Sequence, residues 1–215
     1  MYKLTDLQIL LKLFPNKNWD YFYLSANPNI TWQIIQENPN KPWNYHLLSA
    51  NPNITYQIVQ ENSDIPWDYY WLSQNSNITW KIVKSNPNKG WVYYWLSKNP
   101  NITNQIVEAN PDVPWDYNFL SFNPNITWQN VKDNPNKPWN YNLLSKNPNI
   151  TYQIVKENPD KPWNYHYLSQ NPNITYQNVQ ENPEPWVYFY LSQNTFNCRK
   201  YNWNKKLHKY YSEKI

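Results

Sequence analysis

Phe22, His46, Tyr70, Tyr94, Asn118, Asn142, His166 and Phe189 stand at one phase of a pattern that recurs every 24 residues, the last step being 23. Four residues on, and so on the same side of a helix, are Ala26, Ala50, Gln74, Lys98, Phe122, Lys146, Gln170 and Gln193. Aromatic faces stack, amides donate and accept, and an ammonium pairs with anions or π clouds, which is recognition chemistry. These positions vary between copies whose other residues repeat. The candidate partner-binding stripe is therefore Tyr70, Gln74, Tyr94, Lys98, Asn118, Phe122, Asn142 and Lys146. Its most aromatic stretch is Tyr70, Tyr94, Lys98 and Phe122; the competing reading is neutral variation on a solvated face. A second column, Trp32, Tyr56, Trp80, Asn104, Trp128, Tyr152 and Tyr176, reads as packing between repeats.

Residue types for catalysis are scarce. His46 and His166 share one repeat position five units apart, and at roughly 10 Å per helix layer they cannot share a metal. His208 lies near the C-terminus. No carboxylate pair recurs, and Gly90 is the single glycine, so no glycine-rich phosphate loop can form. Cys198 stands alone, which excludes an intrachain disulfide and argues against a cysteine metal site. Arg199 and Lys200 beside it would favour its thiolate, yet an inert cysteine is the simpler reading. Neither a catalytic residue, a metal nor a cofactor is expected. Seven Asn-Ile-Thr triplets, from Asn29 to Asn173, match the glycosylation sequon, but helix capping accounts for all of them.

The elements that position the stripe follow from the repeat. Trp19, Trp43, Trp67, Trp91, Trp115, Trp139 and Trp163 are 24 residues apart and Trp186 follows 23 later, the signature of a stacked array. In the specimen Lys41–Asn62, Pro42 is expected in a first helical turn, Asn51-Pro52 stops that helix, and Tyr56–Glu61 forms a second one ended by Asn62. Each unit is thus two helices of about eight residues with Asn-Pro corners. Helical spacing of Trp43/Leu47, Tyr45/Leu48 and Ile54/Ile58 outweighs the β-propensity of the aromatic runs. Comparing copies predicts a core of Trp43, Tyr45, Leu48, Ser49, Asn51, Ile54 and Val59 with their counterparts. The corner residues Asn51 and Asn62 are expected in left-handed geometry and in amide ladders from corner to corner, with Asn53 and Thr55 as N-caps.

The expected architecture is all-α, a right-handed α-solenoid of about eight 24-residue units in one elongated domain. Residues 1–18 would form an N-terminal capping helix, 19–194 the solenoid, and 195–215 a basic cap or tail. Residues 1–195 carry a net charge of −1 and 196–215 of +5, through Arg199, Lys200, Lys205, Lys206 and Lys209 among others. Trp203, Leu207 and Tyr210/Tyr211 sit at helical spacing within that tail. No run approaches the roughly 18 apolar residues of a membrane span, and the start reads as an amphipathic helix, so an intracellular location is expected. Abundant Asn, Lys, Ile and Tyr with one Gly and one Arg reflect A+T-rich coding.

Leu-Ser-x-Asn-Pro-Asn-Ile-Thr at Leu48–Thr55 and Leu144–Thr151 resembles the Asn-Pro corner of leucine-rich repeat variant proteins, whose 24-residue units pair one α and one 3₁₀ helix in a right-handed superhelix. The full unit, with Lys-Pro-Trp-Asn-Tyr and Asn-Pro-Asn-Ile-Thr-Trp/Tyr-Gln-Ile-Val, more closely resembles uncharacterised tandem-repeat proteins of giant DNA viruses. The resemblance spans about residues 19–194 and implies architecture, not an active site. The iron–sulphur cluster of one variant-repeat lineage needs a cysteine cluster that this chain lacks. Two functions compete: a scaffold gripping a protein partner, and single-stranded nucleic-acid binding by stacked bases with the basic tail on phosphates. The second lacks a Lys/Arg stripe along the array.

Overall fold

The computed structural model of the chain describes residues 5–183, 185–194 and 196. Among them are 16 short helices and no strand. They group into two compact units, Met1–Asn125 and Ile126–Ile215. In the first, α1 (Asp6–Leu13) precedes the pairs α2 (Tyr21–Ala26) with α3 (Trp32–Glu37), α4 (Tyr45–Ala50) with α5 (Tyr56–Glu61), α6 (Tyr69–Leu72) with α7 (Trp80–Ser85), and α8 (Tyr93–Lys98) with α9 (Asn104–Glu108), then α10 (Tyr117–Phe122). The second holds α11 (Trp128–Asp133), α12 (Tyr141–Leu144) with α13 (Tyr152–Glu157), α14 (Tyr165–Gln170) with α15 (Tyr176–Glu181), and α16 (Tyr188–Leu191). First helices pack side by side, α2 on α4, α4 on α6, α8 on α10, and in the second unit α14 on α16. This is the helix-pair stacking of an α-solenoid.

The first helices start later than the proline placement predicts, α4 at Tyr45, three residues after Pro42. Pro42 and Trp43 lie before α4, because the Trp43 N–H turns back to the Lys41 carbonyl (2.8 Å) and Asn44 is extended. The Asn44 carboxamide oxygen then caps Leu47 N–H at 3.0 Å. Most repeat helices therefore run to six residues, some to four. The second helix is capped by Thr55, whose hydroxyl accepts from Ile58 N–H. Asn53 does not cap. Its amide instead donates to the Pro28 and Ile30 carbonyls of the preceding repeat, at 2.6 and 2.9 Å.

Corner asparagines adopt no left-handed backbone: Asn51 has φ −67° and Asn62 φ −126°, and Phe196 alone is positive among the described residues. The proline after Asn51 favours an extended residue there, and the side chain supplies what a left-handed turn would have supplied. Asn75 Nδ2 donates to the carbonyls of Ser49, Asn51 and Ile54 at 2.9, 2.9 and 3.1 Å, while its Oδ1 accepts Asn77 N–H at 2.8 Å. Asn51, Asn99 and Asn123 repeat the arrangement, as do Asn171 and Asn194 in the second unit. The expected corner-to-corner ladders are therefore present, and they justify burying an amide.

Serine forms a second ladder. Ser73 Oγ donates to the Tyr69 carbonyl (2.7 Å) and accepts Val92 N–H (2.9 Å), tying the end of one first helix to the start of the next. Ser25, Ser49, Ser97, Ser145 and Ser169 do the same. Ser73→Ala should cost about 1 kcal/mol, because it removes the acceptor of the Val92 N–H from a half-buried bridge between helices. Urea unfolding followed by circular dichroism would measure it.

Leu48, Ile54 and Val59 and their counterparts fill the core, fully or almost fully enclosed except for the half-buried Val179. The indoles divide. Trp43, Trp91, Trp115 and Trp186 are buried, whereas Trp19, Trp67, Trp139 and Trp163 are half-buried, as is Tyr45. Each indole N–H bends back to a carbonyl at the end of the preceding second helix, such as Trp91 to Asn86 at 2.9 Å. The ring then wedges between aromatics of earlier repeats, Trp91 against Tyr69 (centroids 4.9 Å, edge-on) and Tyr56 (6.0 Å). The Trp32 column serves this packing too, with Trp32 5.7 Å from Trp67, Trp80 5.1 Å from Trp115 and Trp128 5.5 Å from Trp163.

Burial pushes the phenol ionisation of Tyr56, Tyr69, Tyr152 and Tyr165 above its ordinary 10.0. A raised folded pKa stabilises the fold below the unfolded value and loses that contribution as pH climbs through the folded one. The urea midpoint should stay flat up to about pH 10 and then fall, with some tyrosines ionising only on unfolding, a pattern ultraviolet titration reads directly.

The helix expected at the N-terminus is α1, closed by a capping box between Thr5 and Gln8. It attaches through Gln8 to the Asn29 carbonyl (3.4 Å) and Lys12 to Glu37 (3.8 Å). None of its residues is buried, and Ile9, Leu10 and Leu13 face out, unlike the polar outer side of an ordinary solenoid cap. No helix among the described residues is long and apolar enough to cross a membrane. Cys198, Arg199, Lys200, Trp203, Lys205, Lys206, Leu207, His208, Lys209 and Tyr210/Tyr211 lie outside the described residues.

Candidate partner-binding surface

The outer side of the first helices in the first unit carries one connected set of rings. Asp68, capping α6 through Tyr70 N–H at 2.8 Å, sets the direction in which Tyr70 and Trp71 leave the helix. Val92 offers α8 no side-chain cap, so the serine bridge to its N–H places Tyr94 and Trp95. Asp116 caps α10 through Asn118 and Phe119 N–H at 2.8 and 3.1 Å. The Tyr70 ring lies 5.5 Å from Trp71, 6.1 Å from Tyr94 and 5.6 Å from Trp95. Phe119 continues the set, 5.5 Å from Tyr94 and 5.4 Å from Trp95. Lys98 Nζ then stands 5.8 Å from the Trp95 centroid and 5.5 Å from Phe122.

Two features separate this ridge from an ordinary solvated face. Its rings are half-buried by one another, with Tyr70 the most exposed at 39%. The ridge also holds enclosed donors, Gln74 Nε2 and Trp95 Nε1, that meet no acceptor in hydrogen-bonding geometry. The neighbouring Tyr70 hydroxyl is the main cause lifting the Tyr94 phenol above its usual ionisation range, with desolvation adding to it. The Trp95 indole biases that phenol slightly the other way, without reaching hydrogen-bonding geometry.

Of the predicted stripe, Tyr70, Gln74, Tyr94, Lys98, Asn118 and Phe122 all fall on this side of the first unit. Asn142 and Lys146 belong to the second unit. There Asn142 Oδ1 accepts from Asn164 (2.9 Å) and Lys146 Nζ stands 5.2 Å from the Tyr167 centroid. Column reading by fours missed Trp71, Trp95 and Phe119, which stand one residue after the stripe positions. Their signal was in the chain all the same: that column reads Tyr23, Leu47, Trp71, Trp95, Phe119, Leu143, Tyr167, Tyr190, with no charge in any copy.

The remaining candidates stay apart. His46 Nδ1 sits 2.6 Å from Asp68 Oδ2, and His166 stacks near Tyr190 at 5.3 Å. Among the described residues no group of three His, Cys, Asp or Glu is placed to hold a metal. A recess of about 260 Å³ lies between α1 and α3, lined by Gln8, Trp19, Tyr21 and Lys41 among others and rimmed by the Lys12–Glu37 pair. It is distinct from the ridge. No family model, curated protein or solved structure matches this chain, and its role must be argued from the ridge and the fold.

Proposed function

We propose that the chain is a non-enzymatic scaffold that holds a protein partner against the ridge formed by Tyr70, Trp71, Tyr94, Trp95, Phe119 and Phe122. The observation that carries this reading is the continuous ring set under Lys98, on a fold of regularly stacked helix pairs. Aromatic anchors with an adjacent cation are what interface centres are made of. A single-stranded RNA could stack on the same rings, but its affinity would rest on phosphate contacts, and the ridge carries one lysine.

A photo-crosslinking residue at Tyr70 should capture a protein that one at Lys81, on α7, does not. Trp95→Ala should weaken that capture about thirtyfold, the scale of one anchor residue worth roughly 2 kcal/mol. Capture equal at both positions, or capture of RNA in place of protein, would remove the reading.

A further inference from the structure

Resting on that scaffold reading, we infer that the ridge receives a proline-rich segment in the polyproline II conformation, carrying an acidic residue opposite Lys98. The first argument is hydrogen-bond polarity. Gln74 Nε2 and Trp95 Nε1 are both donors and both lack an acceptor. Tyr70 and Tyr94 bring two hydroxyls to the same ridge, each able to donate to a ligand carbonyl. A surface with donors to spare suits a ligand with carbonyls to spare. Helical ligands use their carbonyls internally; a polyproline II chain keeps all of them free, and its prolines bring no competing N–H.

The second argument is pitch. Polyproline II advances about 9.3 Å per three-residue turn, while packed helices stand roughly 8–10 Å apart. One ligand turn therefore matches one protein repeat, so successive prolines meet equivalent ring pairs, the first lying over Tyr70 and Trp95 and the next over Tyr94 and Phe119. Flat rings with half-exposed faces are the surfaces on which pyrrolidine rings pack in proline recognition. The third argument is charge. Lys98 is exposed, stacks on two rings and forms no ion pair among the described residues, which selects a carboxylate on the incoming segment. Gln74 and Trp95 are half-buried, and the proposal requires their side chains to turn so that the enclosed nitrogens meet the ligand carbonyls.

The test is a tryptophan-fluorescence titration of the full chain with a synthetic peptide of about ten residues, proline at every third position and one glutamate. Saturable quenching is expected, at least tenfold weaker for the peptide with alanine in place of proline. Lys98→Gln should weaken binding about threefold and remove its salt dependence, and Tyr94→Phe should weaken it severalfold without changing the fold. Trp95→Ala should abolish it, with circular dichroism confirming that the chain stays folded, and Lys81→Ala should leave it intact. Equal binding of the alanine peptide, or no saturation below about 1 mM, would overturn the proline chemistry. If crosslinking from Tyr70 still captured a protein in that case, the scaffold reading would survive without it. Displacement of the crosslinked protein by oligouridine, with no response to the peptide, would overturn both.

Discussion

Asn75→Asp should unfold the first unit at neutral pH, a larger loss than Asn75→Ala. The two side chains of Asn and Asp are nearly the same size, so the comparison isolates hydrogen-bond polarity. Asn75 Nδ2 serves three carbonyls, those of Ser49, Asn51 and Ile54, within a fully enclosed corner. Alanine leaves the Ser49 oxygen and the Asn77 N–H unserved, while the Asn51 and Ile54 oxygens keep Ile54 N–H (3.0 Å) and Asn77 Nδ2 (3.2 Å), a cost of about 3 kcal/mol at 1–3 kcal/mol for each group that cannot be rescued by water. Aspartate adds a buried negative charge facing three oxygen dipoles. The expected cost exceeds about 4 kcal/mol, comparable with the whole stability of a small domain.

The pH dependence gives that experiment its signature. The aspartate would be easier to hold protonated in the fold than in the unfolded chain, so its folded pKa is raised. The stability it permits is then present below the unfolded value of about 3.9 and disappears as pH rises through the folded one. Asn75→Asp should gain stability on acidification while the alanine variant does not. Denaturation midpoints at two pH values would check this, and equal behaviour of the variants would mean that the amide ladder contributes little.

Repetition is what made the fold readable from the chain. Leu48, Ser49, Asn51, Ile54 and Val59 keep their type in every copy because each faces the same neighbours in every layer, and all five are buried. The work of the asparagines was only partly readable. The partners of Asn75 lie 21–26 residues earlier, beyond any local window, whereas left-handed corners are a local habit of asparagine that the following proline overrides. Helix starts were misplaced for a similar reason: Trp43 looks helical by spacing to Leu47, yet its backbone is held in a turn by Lys41.

The ridge was half readable, because a column taken by fours samples one line of a helix. With helices of only four to six residues, Trp71, Trp95 and Phe119 stand beside that line and still meet it. A finer regularity also passed unseen. Trp32, Trp80 and Trp128 alternate with Tyr56, Asn104 and Tyr152, and Asn40-Lys41, Asn88-Lys89 and Asn136-Lys137 alternate with Asp64, Asp112 and Asp160. The copies therefore form a 48-residue double unit. Its physical counterpart is burial, since Tyr56 and Tyr152 are enclosed where the bulkier tryptophans of the column are half-exposed. Asp64 and Asp112 alternating with Lys41 and Lys89 also avoid the repulsion that identical repeats would build up, whereas Asp160 is offset by its own neighbour Lys161 at 2.8 Å.

Burial ranks the tryptophans. Trp91 rests on the enclosed Tyr56 and is itself buried, whereas Trp67 rests on Trp32 and is half-exposed. Trp91→Ala should cost about 4 kcal/mol, the range for emptying a large aromatic site, and Trp67→Ala about half as much because water reaches the space left behind. Trp91→Phe separates the two jobs of the indole. Phenylalanine keeps the edge-on contact with Tyr69 but cannot donate to the Asn86 carbonyl, and it fills less of the slot. A loss of about 2 kcal/mol is expected, divided between one lost hydrogen bond, since Asn86 O keeps only Lys89 N–H (3.2 Å), and the missing ring volume. Far-UV circular dichroism is the proper monitor, since each substitution removes a fluorophore. Helices of four to six residues have no stability of their own, so the loss should spread beyond the mutated repeat and lower the unfolding transition of the first unit as a whole. If Trp91→Ala instead behaved like a surface substitution, below about 0.5 kcal/mol, the layers would have to be held by the asparagine and serine ladders alone.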